Sequence, residues 1–177
     1  MKICIWITKI FDLGGTKRVV SLLANELVKE HEVTIMTYED RFREDRTMYH
    51  LSEDINVDFI DNSQFVNKHH TPAFCARYLV KKLNDRSGLF NKKSLNPILA
   101  EAIFPQKTRE KWVEYFNSQD YDVILTTASL SLRLAMIAPR LKAATIGWQH
   151  NCYDGYLHVK PVVFWQQENL LQQYLPN

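Results

Sequence analysis

The chain has 177 residues, 46% of them hydrophobic and 24% charged, with a formal net charge of +2. That length suits one domain or slightly more and can bury a core of its own; the near-neutral balance gives no warrant for nucleic-acid binding, and no apolar run reaches the roughly 18 residues of a membrane span. The three cysteines, Cys4, Cys75 and Cys152, form no C-x-x-C pair and leave an odd count, so reduced thiols in a cytoplasmic protein are expected.

Ile3 to Ile7 (ICIWI) is continuously apolar, as a strand covered on both faces would be; it is too short, and lacks a following small-residue cleavage site, for a signal peptide. Val20, Leu23 and Leu27 then recur at helical spacing, with Val19, Leu22 and Val28 widening the stripe. Glu32 to Tyr38 and Ile55 to Ile60 are short strands. Pro72 opens a helix to about Leu83, followed by a loop at Arg86-Ser87-Gly88 and a stretch rich in Asn and Lys. A second helical pattern passes through Trp112, Val113 and Phe116. Tyr121 to Thr126 is a strand; Leu130, Leu134 and Ala138 mark a helix ended by Pro139; Ala143 to Trp148 is a fifth strand, and Val162 to Leu175 a final helix. Strands alternating with helices predict an α/β fold: a doubly wound, Rossmann-like parallel sheet in the order 3-2-1-4-5 with helices on both faces.

In such a sheet, ligands sit beyond the carboxyl ends of the strands where the order reverses. Gly14 and Gly15 occupy that position after strand 1. Glycine permits φ > 0 and close backbone approach, and a helix from about Thr16 would aim N–H groups at an anion such as phosphate, with Lys17 and Arg18 adding charge. The plainer reading is a tight turn. A dinucleotide fingerprint needs three spaced glycines, and this loop has two adjacent ones. Glu39 and Asp40 could mimic the ribose-binding acid of that motif, but a solvated strand end explains them more simply.

After strand 5 come Gln149, His150 and Asn151, then Tyr153 and Tyr156. A histidine there can act as acid or base or hydrogen-bond a polar substrate, and the flanking amides suit sugar hydroxyls. Cys152 lacks any third group that would mark a Cys-His nucleophile, and the adjacent His69 and His70 have no metal-ligand spacing. Residues 77–111 hold nine Lys/Arg and three acids, so that segment carries +6 and the remainder −4. Interleaved apolar residues make it a candidate for an anionic membrane surface, or simply a solvated helix face.

The opening "MKICIWITKIFDLGGTKRVVSLLANELVKEHEVTIMTYE" resembles the start of family 4 glycosyltransferases of the GT-B fold: a strand, a Gly-Gly-x-x-R loop-helix, "LA-x-x-L", then "HEVT-[IV]". "WQHN" with a following tyrosine resembles bacterial members that build capsule, exopolysaccharide or lipopolysaccharide. The likeness covers strands 1 and 2 and the His150 region and is weak from about Asp40 to Gln119. It implies an N-terminal Rossmann-like acceptor domain over residues 1–177 and a nucleotide-sugar domain, carrying an E-x7-E motif, beyond this chain.

The resemblance further implies that Gly14, Gly15, Thr16 and Arg18 lie against the donor diphosphate or sugar. His150 would contact the transferred sugar as the catalytic residue, with Gln149 and Asn151 binding beside it. It implies retention of anomeric configuration, a nucleotide-sugar co-substrate in place of a cofactor, no metal, and a glycan or lipid-linked acceptor. The thiols and the basic segment place the protein in the cytoplasm, peripheral on the inner face of the membrane through residues 77–111. Two other readings stand beside the resemblance: a non-catalytic Rossmann-like module that binds a glycan or lipid, and a nicotinamide-dependent oxidoreductase, which the absent third glycine disfavours.

Overall fold

The computed structural model describes residues 1–39, 41–65, 71–150, 152, 155, 157 and 164–175. Asp40, His69, His70, Asn151, Tyr153 and Tyr156, and the first two residues of the anticipated final helix, lie outside the described residues. Five strands, β1 (Lys2–Ile7), β2 (Glu32–Thr37), β3 (Asn56–Phe59), β4 (Val123–Thr127) and β5 (Ala144–Trp148), form one parallel sheet in the order β3-β2-β1-β4-β5. This is the predicted Rossmann-like arrangement.

The unbroken apolar run of β1 has a direct cause. Alternate side chains leave opposite faces of a strand. Cys4 and Trp6 enter one core, while Ile3, Ile5 and Ile7 enter the other. The second core is closed by α1 (Gly15–Leu27), which buries Val20, Ser21 and Ala24 and packs Leu23, Leu27 and Val28 alongside. Val19 and Leu22 do not join that stripe. They face outward, 39% and 55% exposed, because the helix meets the sheet along one narrow line.

The first core is covered by α3 (Asn96–Ile103), α4 (Gln106–Ser118), α5 (Ser129–Ile137) and α6 (Glu168–Tyr174). At its centre Trp112 stacks on Phe65 at 3.8 Å between ring centroids and lies 4.7 Å from Trp6. Truncating such a tryptophan to alanine costs about 3–5 kcal/mol.

The long connection from β3 to β4 carries α2 (Pro72–Ser87), α3 and α4. The start of α2 follows from chemistry: the Thr71 hydroxyl accepts the Phe74 N–H at 3.2 Å, and Pro72 needs no donor at the first turn. Its end is Gly88, in the left-handed region at φ 66°, which glycine adopts without strain. The helix thus runs through Arg86 and Ser87, past the anticipated loop.

The Asn-rich stretch beyond it passes through a single 3-10 turn, Lys93–Leu95, into α3, which the residue pattern did not reveal, and its amides join distant segments. Asn84 bonds the Gln166 carbonyl at 2.7 Å and accepts from the Phe90 N–H at 3.0 Å. Asn96 reaches the Asn169 carbonyl at 3.0 Å, and Asn169 reaches Asn91. These bonds shorten the final helix. Phe164–Gln166 form a turn that presents the Gln166 carbonyl to α2, so α6 begins only at Glu168. No helix among the described residues is long and apolar enough to cross a membrane.

Candidate functional site at the carboxyl edge of the sheet

The chain leaves β1 through a loop that the structure holds firmly. Ile10 and Phe11 turn into the core, and Phe11 stacks on Phe59 at 6.2 Å. Their N–H groups both donate to Glu39 Oε2, at 2.6 and 2.9 Å. Glu39 is therefore not a solvated strand end. It is 8% exposed, and its carboxylate fixes the β1 loop from the exit of β2. It is committed to the backbone and unsuited to holding a ribose. The Tyr38 N–H and the Thr37 hydroxyl add bonds to the Thr8 carbonyl, at 3.3 and 3.2 Å.

Further along, the Gly14 N–H donates to the Tyr49 hydroxyl at 2.8 Å. That donor is used inside the fold and is not offered to a ligand. Gly14 is extended, and neither Gly14 nor Gly15 has a φ in the left-handed region. The glycine pair therefore serves no left-handed turn. What distinguishes Gly15 is space: a Cβ built there meets nothing within 4 Å, and the residue is exposed.

Gly15 is the first residue of α1, whose N-terminus has no side-chain cap and no acid in its first turn. The N–H groups of Gly15, Thr16 and Lys17 precede any intrahelical acceptor, so the helix presents donors and a partial positive charge at an open surface. Thr16 is half-buried. Arg18 is exposed and makes no ion pair among the described residues. Lys17 folds back, its ammonium 3.3 Å from the Leu13 carbonyl and 4.0 Å from Asp12. Leu13, 78% exposed, forms an apolar lip beside the glycines.

On the other side of the switch point, β4 ends at Ala128, which holds φ 50° and ψ −125° before α5 begins. The Ala128 N–H donates to the Trp148 carbonyl at 3.3 Å, and the Gln149 amide donates to the Ala128 carbonyl at 3.4 Å. These bonds tie the exits of β4 and β5 together. Gln149 Oε1 is buried and has no hydrogen-bond partner among the described residues. His150 is half-buried, its ring 4.4 Å from that of Trp148 at an interplanar angle of 41°. Asn151 lies outside the described residues.

The sequence candidates therefore form two groups on one edge. Gly14, Gly15, Thr16 and Arg18 follow β1; Gln149 and His150 follow β5, and β4 stands between them. Two interstrand spacings separate β1 from β5, about 10 Å, which a sugar phosphate can span. Tyr38, at the exit of β2, carries a hydroxyl whose pKa is raised chiefly by burial; the positive Arg133 and the Trp6 N–H, 2.9 Å from its oxygen, act in the opposite sense. Burial also pushes up the Cys4 thiol, which is enclosed in the core and is no nucleophile. Among the described residues no group of three or more His, Cys, Asp or Glu is placed to hold a metal ion.

Glu39, Tyr49, Ala128 and Arg133 were not found from sequence as site-shaping residues. A tyrosine 35 positions from Gly14 and an alanine with positive φ leave no local signature. Compared with models of known protein families and with curated proteins, the chain matches none. The fold and this edge define the class: an α/β, Rossmann-like protein whose first strand leads through a loop into an uncapped helix N-terminus.

Proposed function

We propose that the chain is the acceptor-side half of a retaining glycosyltransferase, one that moves a sugar from a nucleotide-sugar to a glycan or lipid-linked acceptor in bacterial surface polysaccharide synthesis. The observation that carries this reading is the open surface at Gly15. An uncapped helix N-terminus with room for a close approach stands beyond β1, at the edge that also bears Gln149 and His150. In this reading the N–H groups of Gly15 to Lys17 and the Arg18 guanidinium draw the leaving diphosphate. Preorganised donors of this kind supply the largest share of many rate enhancements. His150, braced by Trp148, hydrogen-bonds the transferred sugar, and Gln149 Oε1 accepts from a substrate hydroxyl. Tyr78, Leu79, Leu83, Leu89 and Ile98 are exposed among the basic residues of 77–111, which supports attachment at an anionic membrane surface.

The test is His150→Ala in a protein that joins this domain to a nucleotide-sugar domain. Turnover falls by about 10²-fold or more, as for a positioned acid–base or transition-state contact, while the melting temperature holds. Unchanged turnover, or a loss explained by unfolding through a cavity, refutes the assignment. Retained binding of glycan or lipid by a protein that transfers nothing favours the non-catalytic module.

A further inference from the structure

Away from the glycine loop, a cavity of about 220 Å³ opens between α2, the α3–α4 junction and α5. Asn62, just beyond β3, and Arg133, one turn into α5, bring it to the carboxyl side of the sheet. Its floor and walls are aromatic: Phe104 and Trp112 are buried, and Phe74 and Tyr78 rise from α2. Its charges are all positive, from Arg77, Lys81 and Arg133, and no carboxylate lines it among the described residues.

The three cations differ. Arg77 lies 4.0 Å from Glu101 and Lys81 2.7 Å from Asp85, both near the surface. Arg133 has no carboxylate within 4.0 Å among the described residues; its guanidinium sits over the Phe104 ring at 5.7 Å. A half-buried guanidinium without an acid is a strong recognition element for phosphate. A groove of about 420 Å³ between α2 and α3 adjoins the cavity, walled by Ala76, Val80, Pro97 and Ile98 with Glu101 at its side paired to Arg77, and Arg77 and Ala102 line both hollows. A cationic, aromatic pocket beside a mainly apolar groove, whose one carboxylate, Glu101, is paired to Arg77, suits an anionic head with an apolar tail.

We propose that the cavity at Arg133 and the adjoining α2–α3 groove together bind a phosphate-bearing amphiphile, with the phosphate at Arg133 and the apolar chain along Val80 and Ile98. Identifying that amphiphile as the lipid-linked acceptor of sugar transfer rests on the function proposed above; the binding itself does not. Arg77 and Lys81 line the route by which the head enters, and Tyr78 covers it.

The chain itself, with no sugar donor, is titrated with decyl phosphate below its micelle threshold, with 1-decanol and with inorganic phosphate, followed by calorimetry. Decyl phosphate saturates one site, at least about tenfold more tightly than decanol through the charge-assisted contact, and about a hundredfold more tightly than inorganic phosphate through chain burial. Arg133→Gln lowers decyl phosphate affinity about tenfold, to the level of decanol. Val80→Asp, on the open groove wall, lowers it toward that of inorganic phosphate. Thermal unfolding of both variants, and the exposed Lys81→Gln with a smaller loss, separate binding from folding. The proposal is overturned by absent saturation, by inorganic phosphate or decanol binding as tightly as decyl phosphate, or by an Arg133→Gln protein of unchanged affinity. Failure here leaves transfer to a water-soluble glycan standing. Failure of the His150 test removes transfer and leaves the amphiphile site.

Discussion

Glu39 sets the shape of the loop that carries the glycines, and its replacement gives the sharpest test of that claim. Both N–H bonds fall on one oxygen, from Ile10 at 2.6 Å and Phe11 at 2.9 Å. Glu39→Ala removes the acceptor and orphans two buried donors. Each costs about 1–3 kcal/mol if it stays dry. Part of that is recovered if the loop shifts toward water, so we expect about 2–3 kcal/mol in total. For a chain of this size a loss of 1 kcal/mol lowers the melting temperature by about 2–4 °C, giving about 5–10 °C. Glu39→Gln keeps a carbonyl oxygen for both donors and loses only the charge assistance, about 1 kcal/mol or 2–4 °C. Circular dichroism melts measure the difference, and amide exchange localises it: protection at Ile10 and Phe11 drops in Glu39→Ala and persists in Glu39→Gln. If the two variants melt together, or if those amides exchange no faster in the alanine variant, the carboxylate does not organise the loop.

Gly15→Val keeps the fold, because a Cβ there meets nothing within 4 Å, and its melting temperature stays within about 2 °C of the parent's. In a protein with its donor domain the same change lowers donor affinity at least about tenfold by occupying the approach to the α1 N-terminus; normal affinity refutes the phosphate reading of the loop. Of the three thiols, Cys75 and Cys152 are exposed and Cys4 is buried, with its pKa raised chiefly by that burial, so a thiol reagent labels two quickly and the third only on unfolding. Fast labelling of Cys4 in the native protein would show that the first core is open. Among the described residues three tyrosines, Tyr38, Tyr115 and Tyr121, hold their protons above the usual tyrosine range, chiefly through burial, and Tyr115 also through its 2.8 Å bond to Asp58. The unfolded chain ionises them first, so the stability they provide is complete below about pH 10 and declines as pH rises past it. Absorbance at 295 nm should show those three titrating together with loss of the fold, and their titration in a still-folded protein would contradict the burial.

The sheet was legible because its signals are local. A continuously apolar strand declares that both faces are covered, and β1 delivers Cys4 and Trp6 to one core and Ile3, Ile5 and Ile7 to the other. Pro72 marked the start of α2 and Gly88 lies at its end through chain chemistry that any reader can apply. The failures came where distant segments compete for the same groups. Nothing near Phe164 says that the Gln166 carbonyl must face Asn84, 82 residues away, yet that bond delays the last helix to Glu168. Likewise the run from Asn91 to Asn96 suits a loop on composition, and becomes helical where Asn96 finds acceptors on α6.

The same contrast governs the candidate edge. The place of Gly14, Gly15, Gln149 and His150 followed from topology, since Gln149 and His150 come directly after β5 and the glycines end the loop that joins β1 to α1, at the carboxyl edge of the sheet. The reason for the glycines did not follow. The expected left-handed turn is absent, and Gly15 instead leaves a surface open, a property of what is missing around a residue that no string of letters encodes. Glu39 illustrates the opposite limit. As an acid after β2 it invited a ribose or a solvated end, and only the fold shows its carboxylate bonded to the β1 loop, with the partners 28 and 29 positions apart in sequence. The geometry of this edge therefore depends on a support that carries no motif: Glu39 and Tyr49 bond the backbone of the loop that leads into α1. If the edge binds the anion proposed for it, a substitution at either would loosen that site without touching a ligand, and would be mistaken for a catalytic defect unless the melting temperature were measured beside the rate.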